Sequence, residues 1–210
     1  GPVGLFFFYP GPPGGATPLP TEPTMSLPQM KIDAFLDQLA SSAPTPGGGS
    51  VAALAGALAA SLGQMACALT LGKPKFAAVE EQVRMLAERL RRAGQSLREL
   101  MDEDAEAYSL LTEALRLDKA DPQRAERVQQ AASLAGSVPL ETAGFCARVL
   151  EALKELRPIG NPLLASDMEA AMHLAQAAFH AALANVHANV PFMSADVAAF
   201  IKKQLAVLEK

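Results

Sequence analysis

The run Pro46, Gly47, Gly48, Gly49, Ser50 is the first place in this chain where residue type and spacing could do chemistry. Three successive glycines leave the backbone without Cβ atoms, so a ligand can come close. The run leads straight into Val51 to Leu71, a stretch without a single charge. Where such a loop enters a helix, the free N–H groups of the first turn and the positive end of the helix dipole favour an anion. The spacing is neither a dinucleotide fingerprint nor a P-loop, because no strand-like run precedes it and no Gly-Lys-Ser/Thr follows. A tight turn with Ser50 as N-cap accounts for the same residues, and spacing alone leaves both readings open.

Polar residues that interrupt apolar patterns are the next candidates: Asp104 amid Met101 to Leu111, Asp167 after Ser166, and the pair Asn185 and Asn189. Asn185 and Asn189 lie four apart, so both amides share one helix face in a stretch that otherwise reads as buried. Each must bond a neighbouring backbone or a ligand. Asp104 has a plainer reading as part of a solvated face with Asp102, Glu103 and Glu106. His173, His180 and His187 repeat every seven residues, about 10.5 Å of rise, whereas ligands sharing a metal from one helix need i, i+3 or i+4 spacing. They read as a stripe at a helix or subunit contact. Cys67 and Cys146 stand alone in apolar patterns, without metal-ligand spacing, and read as buried reduced thiols of a cytoplasmic protein.

The elements that must hold these residues are helices. No segment alternates like a strand, and Ala, Leu, Glu and Arg dominate. The pattern predicts an all-α, antiparallel bundle of about eight helices around an Ala-rich buried central helix. Ile32 to Leu39 is a short entry helix, and the central helix ends at Gly72, Lys73 and Pro74. Phe76 to about Leu117 is one long helix or two in near-continuation. One helix follows from Gln123 to Gly136, and Pro139 starts another that runs to Leu156. Ser166 or Asp167 begins a helix reaching about Asn189, and Pro191 opens the last.

Among 210 residues, 50% are apolar and 19% charged, with a net charge of −4 and acidic and basic residues interleaved. No basic block is present, which argues against a nucleic-acid footprint and for a small-molecule substrate. The uncharged segment Val51 to Leu71 is long enough to cross a bilayer, but its Ala-rich composition and missing aromatic or basic anchors fit the core of a soluble bundle, so no membrane partner is expected. Residues 1–24, rich in Pro and Gly, read as a disordered extension without the marks of a secretory signal, and 25–210 as a single helical domain.

Taken together these residues resemble the cyclodeaminase/cyclohydrolase family, which includes the C-terminal domain type of formimidoyltransferase-cyclodeaminase. The marks, spanning nearly everything after Met25, are Thr45-Pro-Gly-Gly-Gly-Ser-Val-Ala-Ala53, Gly72-Lys73, Asp102-Glu-Asp-Ala-Glu-Ala-Tyr108, Val138-Pro-Leu140, Gly160-Asn161, Ser166-Asp167, and Asn185-Val186 with Asn189. Pro74 departs from the basic or polar residue common there.

The resemblance implies an all-helical homodimer acting on tetrahydrofolate one-carbon derivatives, without metal and with no cofactor beyond its folate substrate. It implies one of two reactions. As an ammonia-lyase, the cyclodeaminase, N10 of 5-formimidoyltetrahydrofolate attacks the formimidoyl carbon, ammonia leaves, and 5,10-methenyltetrahydrofolate forms. As a cyclohydrolase, water attacks that carbon of the methenyl compound, N5 leaves, and 10-formyltetrahydrofolate forms. Both need a group that moves a proton between nucleophile and leaving nitrogen, and negative charge near a cationic amidine.

On this likeness Asp104 is the general acid/base and Asp167 a second carboxylate. Asn161, Asn185 and Asn189 orient the pterin or one-carbon unit, with Ser166 beside them. Gly47, Gly48, Gly49 and Ser50 receive the glutamate tail or developing negative charge, with Lys73 as partner. The likeness to the bifunctional protein favours cyclodeaminase, with cyclohydrolase as the alternative. A non-catalytic folate-binding or helical interaction protein is the remaining one.

Overall fold

The structure, a computed structural model, describes residues 26–208. The expected extension 1–24 lies outside the described residues. Within them are six α-helices and no strand: α1 (Ile32–Leu39), α2 (Gly48–Ala68), α3 (Glu80–Arg116), α4 (Arg124–Leu156), α5 (Ala165–Asn189) and α6 (Ala195–Leu208). Short 3₁₀ turns at Leu27–Gln29, Pro74–Val79, Pro162–Leu164 and Val190–Phe192 join or precede them.

The all-α class holds, with fewer and longer helices than the eight expected. The long pattern after Phe76 is a single helix of 37 residues preceded by the 3₁₀ turn. Pro139 starts no helix; it sits inside α4, which runs through it unbroken. Pro191 lies in a 3₁₀ turn, and α6 begins after it, its first bond running from the Ala198 N–H to the Ser194 carbonyl.

Helix α2 is the centre. It packs along α3 and α5 and also touches α4, while α3 packs on α4 and α4 on α5. The contacts give the directions. Ser50, Gly56 and Gly63 of α2 meet Asp104, Leu97 and Leu90 of α3 in falling order, so α3 is antiparallel to α2. Gly56 and Gly63 meet Cys146 and Leu153 of α4 in rising order, so α4 runs parallel to α2. A Cβ on Gly63 would stand 2.7 Å from Leu153 and 2.8 Å from Leu90, closer than atoms tolerate. The small residues of α2 are therefore what lets three helices close on it. The bulk of the core comes from its neighbours: Leu86, Leu90, Leu97 and Met101 on α3, and Leu140, Val149, Leu153 and Leu156 on α4.

Among the described residues α2 alone is long and apolar enough to cross a bilayer, and half of its most apolar window is buried inside the bundle. Gly72 ends the turn after it at φ +71°, a left-handed conformation that a Cβ would strain. Both free cysteines are buried; desolvation pushes Cys67 up to about 11 and Cys146 up to about 12, which keeps both as thiols.

Candidate active site at the mouth of helix α2

Helix α2 starts three residues earlier than the uncharged stretch suggests. Gly47 is its N-cap, with extended backbone, and Gly48, Gly49 and Ser50 form its first turn. Ser50 is therefore not the N-cap. Its side chain is fully buried and turns instead toward α3, where Oγ lies 2.9 Å from Asp104 Oδ2 and 3.0 Å from the Met101 carbonyl.

The anion at this helix mouth is supplied from within the chain: it is the Asp104 carboxylate, which also accepts from the Ser50 backbone N–H. Gly49 makes the seat. A Cβ there would fall 1.9 Å from Asp104 Oδ1, so the carboxylate rests where a side chain would be. Burial pushes the Asp104 carboxyl above the usual range, and the hydroxyl and N–H of Ser50 draw it partly back. The Ser50 hydroxyl can donate to the ionised carboxylate. Once Asp104 is protonated, it can accept from the acid while donating to Met101. One neighbour thus serves both protonation states of a group suited to proton transfer.

Across from Asp104, α5 presents its last turn. Asn185 donates from Nδ2 to the Ala181 carbonyl at 2.8 Å, and Asn189 donates from Nδ2 to the carbonyls of Asn185 and Ala135, each at 2.9 Å. Because carbonyls claim both amide nitrogens, the orientation of each amide is fixed. What remains for a ligand is the oxygen of each amide and the second N–H of Asn185. Gly47, Gly48, Asp104, Tyr108, Asn185 and Asn189 line a cavity of about 260 Å³, with Ala135 of α4 and the Pro44–Thr45 turn completing it. Its polar lining includes the Asp104 carboxyl and the amides of Asn185 and Asn189. These groups suit a ligand that carries N–H groups or positive charge.

The cavity gathers Gly47, Gly48, Gly49, Asp104, Asn185 and Asn189, with Ser50 behind the carboxyl. It does not gather Lys73, Asn161, Ser166 or Asp167, which lie toward the other end of the bundle. Asn161 is buried and ties the α4–α5 connection to the end of α2, through its N–H to Thr70 Oγ1 at 3.0 Å and Nδ2 to the Leu69 carbonyl at 3.3 Å. Lys73 is the N-cap of the 3₁₀ turn that follows α2. Ser166 is exposed, and Asp167 stands in the first turn of α5, where the helix dipole favours an acid. Some 18 residues of α5, about 27 Å, separate Asp167 from Asn185.

Tyr108, Thr45 and Ala135 join the site without being among the residues expected from sequence. For Tyr108 the signal was available, since it follows Asp104 by one helical turn. The three histidines are exposed on α5, with His180 edge-on to Phe179 at 5.4 Å. Among the described residues no three His, Cys, Asp or Glu side chains gather as a metal site would require.

A sequence model of the formiminotransferase-cyclodeaminase family matches residues 31–207. The chain is similar to a protein of Methylorubrum extorquens named methenyltetrahydrofolate cyclohydrolase, 36% identical over 182 residues, covering 85% of this chain and 86% of that one. It is also 32% identical over 179 residues to the mouse formimidoyltransferase-cyclodeaminase, of whose length it spans about a third. The crystal structure of a formiminotetrahydrofolate cyclodeaminase from Thermotoga maritima superposes with a TM-score of 0.80 at 28% identity, covering 87% of this chain and 90% of that one. The motifs, the helical architecture and the match across nearly all the described residues agree, and the chain belongs to the formiminotransferase-cyclodeaminase family.

Proposed function

We propose that the chain hydrolyses 5,10-methenyltetrahydrofolate to 10-formyltetrahydrofolate, with Asp104 moving the protons. The observation that carries this reading is the Asp104 carboxyl, half-buried at the mouth of α2, bonded to Ser50 and sharing a cavity with the side chains of Asn185 and Asn189. In the reaction, water attacks the carbon between N5 and N10, and its proton passes to Asp104. The tetrahedral adduct then breaks its bond to N5, which takes that proton back. The adduct's hydroxyl releases its own proton to solvent as the formyl group forms. The Asp104 carboxyl favours the cationic substrate, and the amides of Asn185 and Asn189 can pair with the polar edge of its pterin. No cofactor beyond the folate enters the scheme.

The cavity is just below the usual range of roughly 300–1,000 Å³ for small-molecule sites. It therefore takes the ring and one-carbon end of the folate, with the glutamate tail outside. This reading replaces the expected role of the glycine run as a seat for that tail. Tyr108, 47% exposed at the cavity, offers a flat face for the ring.

Cyclodeamination of 5-formimidoyltetrahydrofolate, the first choice from sequence, is kept as the second reading. The match over most of both chains to a protein named cyclohydrolase puts hydrolysis first. The likeness to a cyclodeaminase structure of similar length favours the second. Here N10 attacks the formimidoyl carbon and Asp104 would protonate the departing amine. A homodimer is part of the proposal: the outer face of α2 exposes Leu58, Met65 and Leu69 without a charge, which suits pairing with a second copy. The deciding experiment offers each folate to the purified protein. Methenyl absorbance falling faster than in buffer supports hydrolysis, and its appearance from the formimidoyl compound supports deamination. No change with either sinks both.

A further inference from the structure

Pro139 lies in the interior of α4, a position that ordinarily breaks a helix. In a regular helix the N–H of residue 139 would donate to the carbonyl of residue 135. Proline has no N–H, and its ring crowds that same carbonyl. The Ala135 carbonyl is the one that accepts from Asn189 Nδ2, at 2.9 Å. The next residue brings α5 within reach. A Cβ on Gly136 would stand 1.9 Å from Met193 Cε and 3.7 Å from Asn189 Cβ, so the end of α5 and the turn after it press directly onto bare α4 backbone.

We infer that Pro139 is a positioning residue for the site: by leaving the Ala135 carbonyl unclaimed, it recruits the amide nitrogen of Asn189 and so fixes how that amide is presented at the cavity. Pro139 is buried and lines no part of the cavity itself. Its effect passes through one carbonyl and one side chain. This rests on the folate reading for its catalytic consequence, but its structural half does not.

The test is Pro139→Ala, Asn189→Ala and the double variant, each measured for kcat/KM and for thermal unfolding. Alanine at 139 restores an N–H that competes for the Ala135 carbonyl, so P139A should melt at least about 2 °C higher than wild type. Its kcat/KM should nevertheless fall roughly tenfold, the size of one misdirected hydrogen bond. The double variant should be no worse than N189A alone, because both changes break one link. Unchanged kcat/KM in P139A, multiplying losses in the double variant, or a lower melting temperature or loss of fold in P139A would each overturn the inference. Should wild type turn over neither folate, the folate reading fails and NMR of the Asn189 side-chain amide decides. A resonance shifted in P139A supports the link, and an unshifted one refutes it.

Discussion

Alanine placed in turn at Gly47, Gly48 and Gly49 separates a seat for Asp104 from an ordinary flexible loop. At Gly49 the new Cβ would meet Asp104 Oδ1 at 1.9 Å and Cγ at 2.4 Å. Ordinary van der Waals contact begins near 3.4 Å, so the carboxyl must retreat by 3.4 − 1.9 = 1.5 Å. Such a move breaks the 2.9 Å bond with Ser50. A hydrogen bond to a charged group is worth about 1.5–3 kcal/mol, and alanine returns roughly 1 kcal/mol of helix propensity, so the net loss of stability is about 0.5–2 kcal/mol.

The effect on turnover is larger. Misplacing a catalytic group by about 1 Å costs on the order of 10²-fold, and kcat of G49A should fall by that much. At Gly48 the Cβ would sit 3.3 Å from Asn185 Nδ2, which has only to give by tenths of an ångström, so KM should rise with kcat nearly kept. At Gly47, where nothing lies within 4 Å and the backbone is extended, kcat should be unchanged and only a cap effect of up to about 1 kcal/mol is expected. Steady-state absorbance assays with thermal melts give the whole series. Equal losses of kcat at all three positions, or a fully active G49A, would refute the reasoning.

Asp104 should also leave a mark on stability. Its folded pKa is raised, so its contribution is fully present below the unfolded value of about 3.9 and is lost as pH rises through the folded one. Asp104→Asn should therefore melt above wild type at neutral pH, with the gap closing toward pH 4; a lower melt at neutral pH would count against the burial argument. Tyr108→Trp gives a chain otherwise without tryptophan a single reporter at the cavity, and folate binding should quench its emission. Emission blind to a folate that the same variant turns over would remove the aromatic face from the site. Asp167→Asn should keep kcat, because about 27 Å of α5 stands between it and Asn185; a collapse of kcat would place Asp167 in the chemistry after all.

Much of this was legible in the sequence because it is local. The period of the apolar residues gives helices, and the small residues of α2 give its central place. Asn185 and Asn189 announce themselves as polar groups in apolar surroundings, whereas Asp104, among Asp102, Glu103 and Glu106, stands out only through the family resemblance. What was hidden depends on which end of each helix meets which. Asn185 and Asp167 stand near opposite ends of α5, as Ser50 and Thr70 do of α2, and the antiparallel packing of α5 on α2 brings Asn185 to the Gly48 end and Asn161 to Thr70. Proline usually ends a helix, so the sequence pattern predicts two helices where α4 runs as one. The compensation for Pro139 lies 50 residues away in Asn189, beyond any local rule. The glycine run looked like a cradle for an external anion, and its occupant came from α3, 54 residues on from Ser50.

The most direct test of the account is the rate at which wild type and Asp104→Asn consume 5,10-methenyltetrahydrofolate, with binding of the same folate followed in parallel. The account predicts that wild type turns it over, while D104N binds it with similar affinity and shows no turnover above the uncatalysed rate. Equal rates in the two proteins would contradict it.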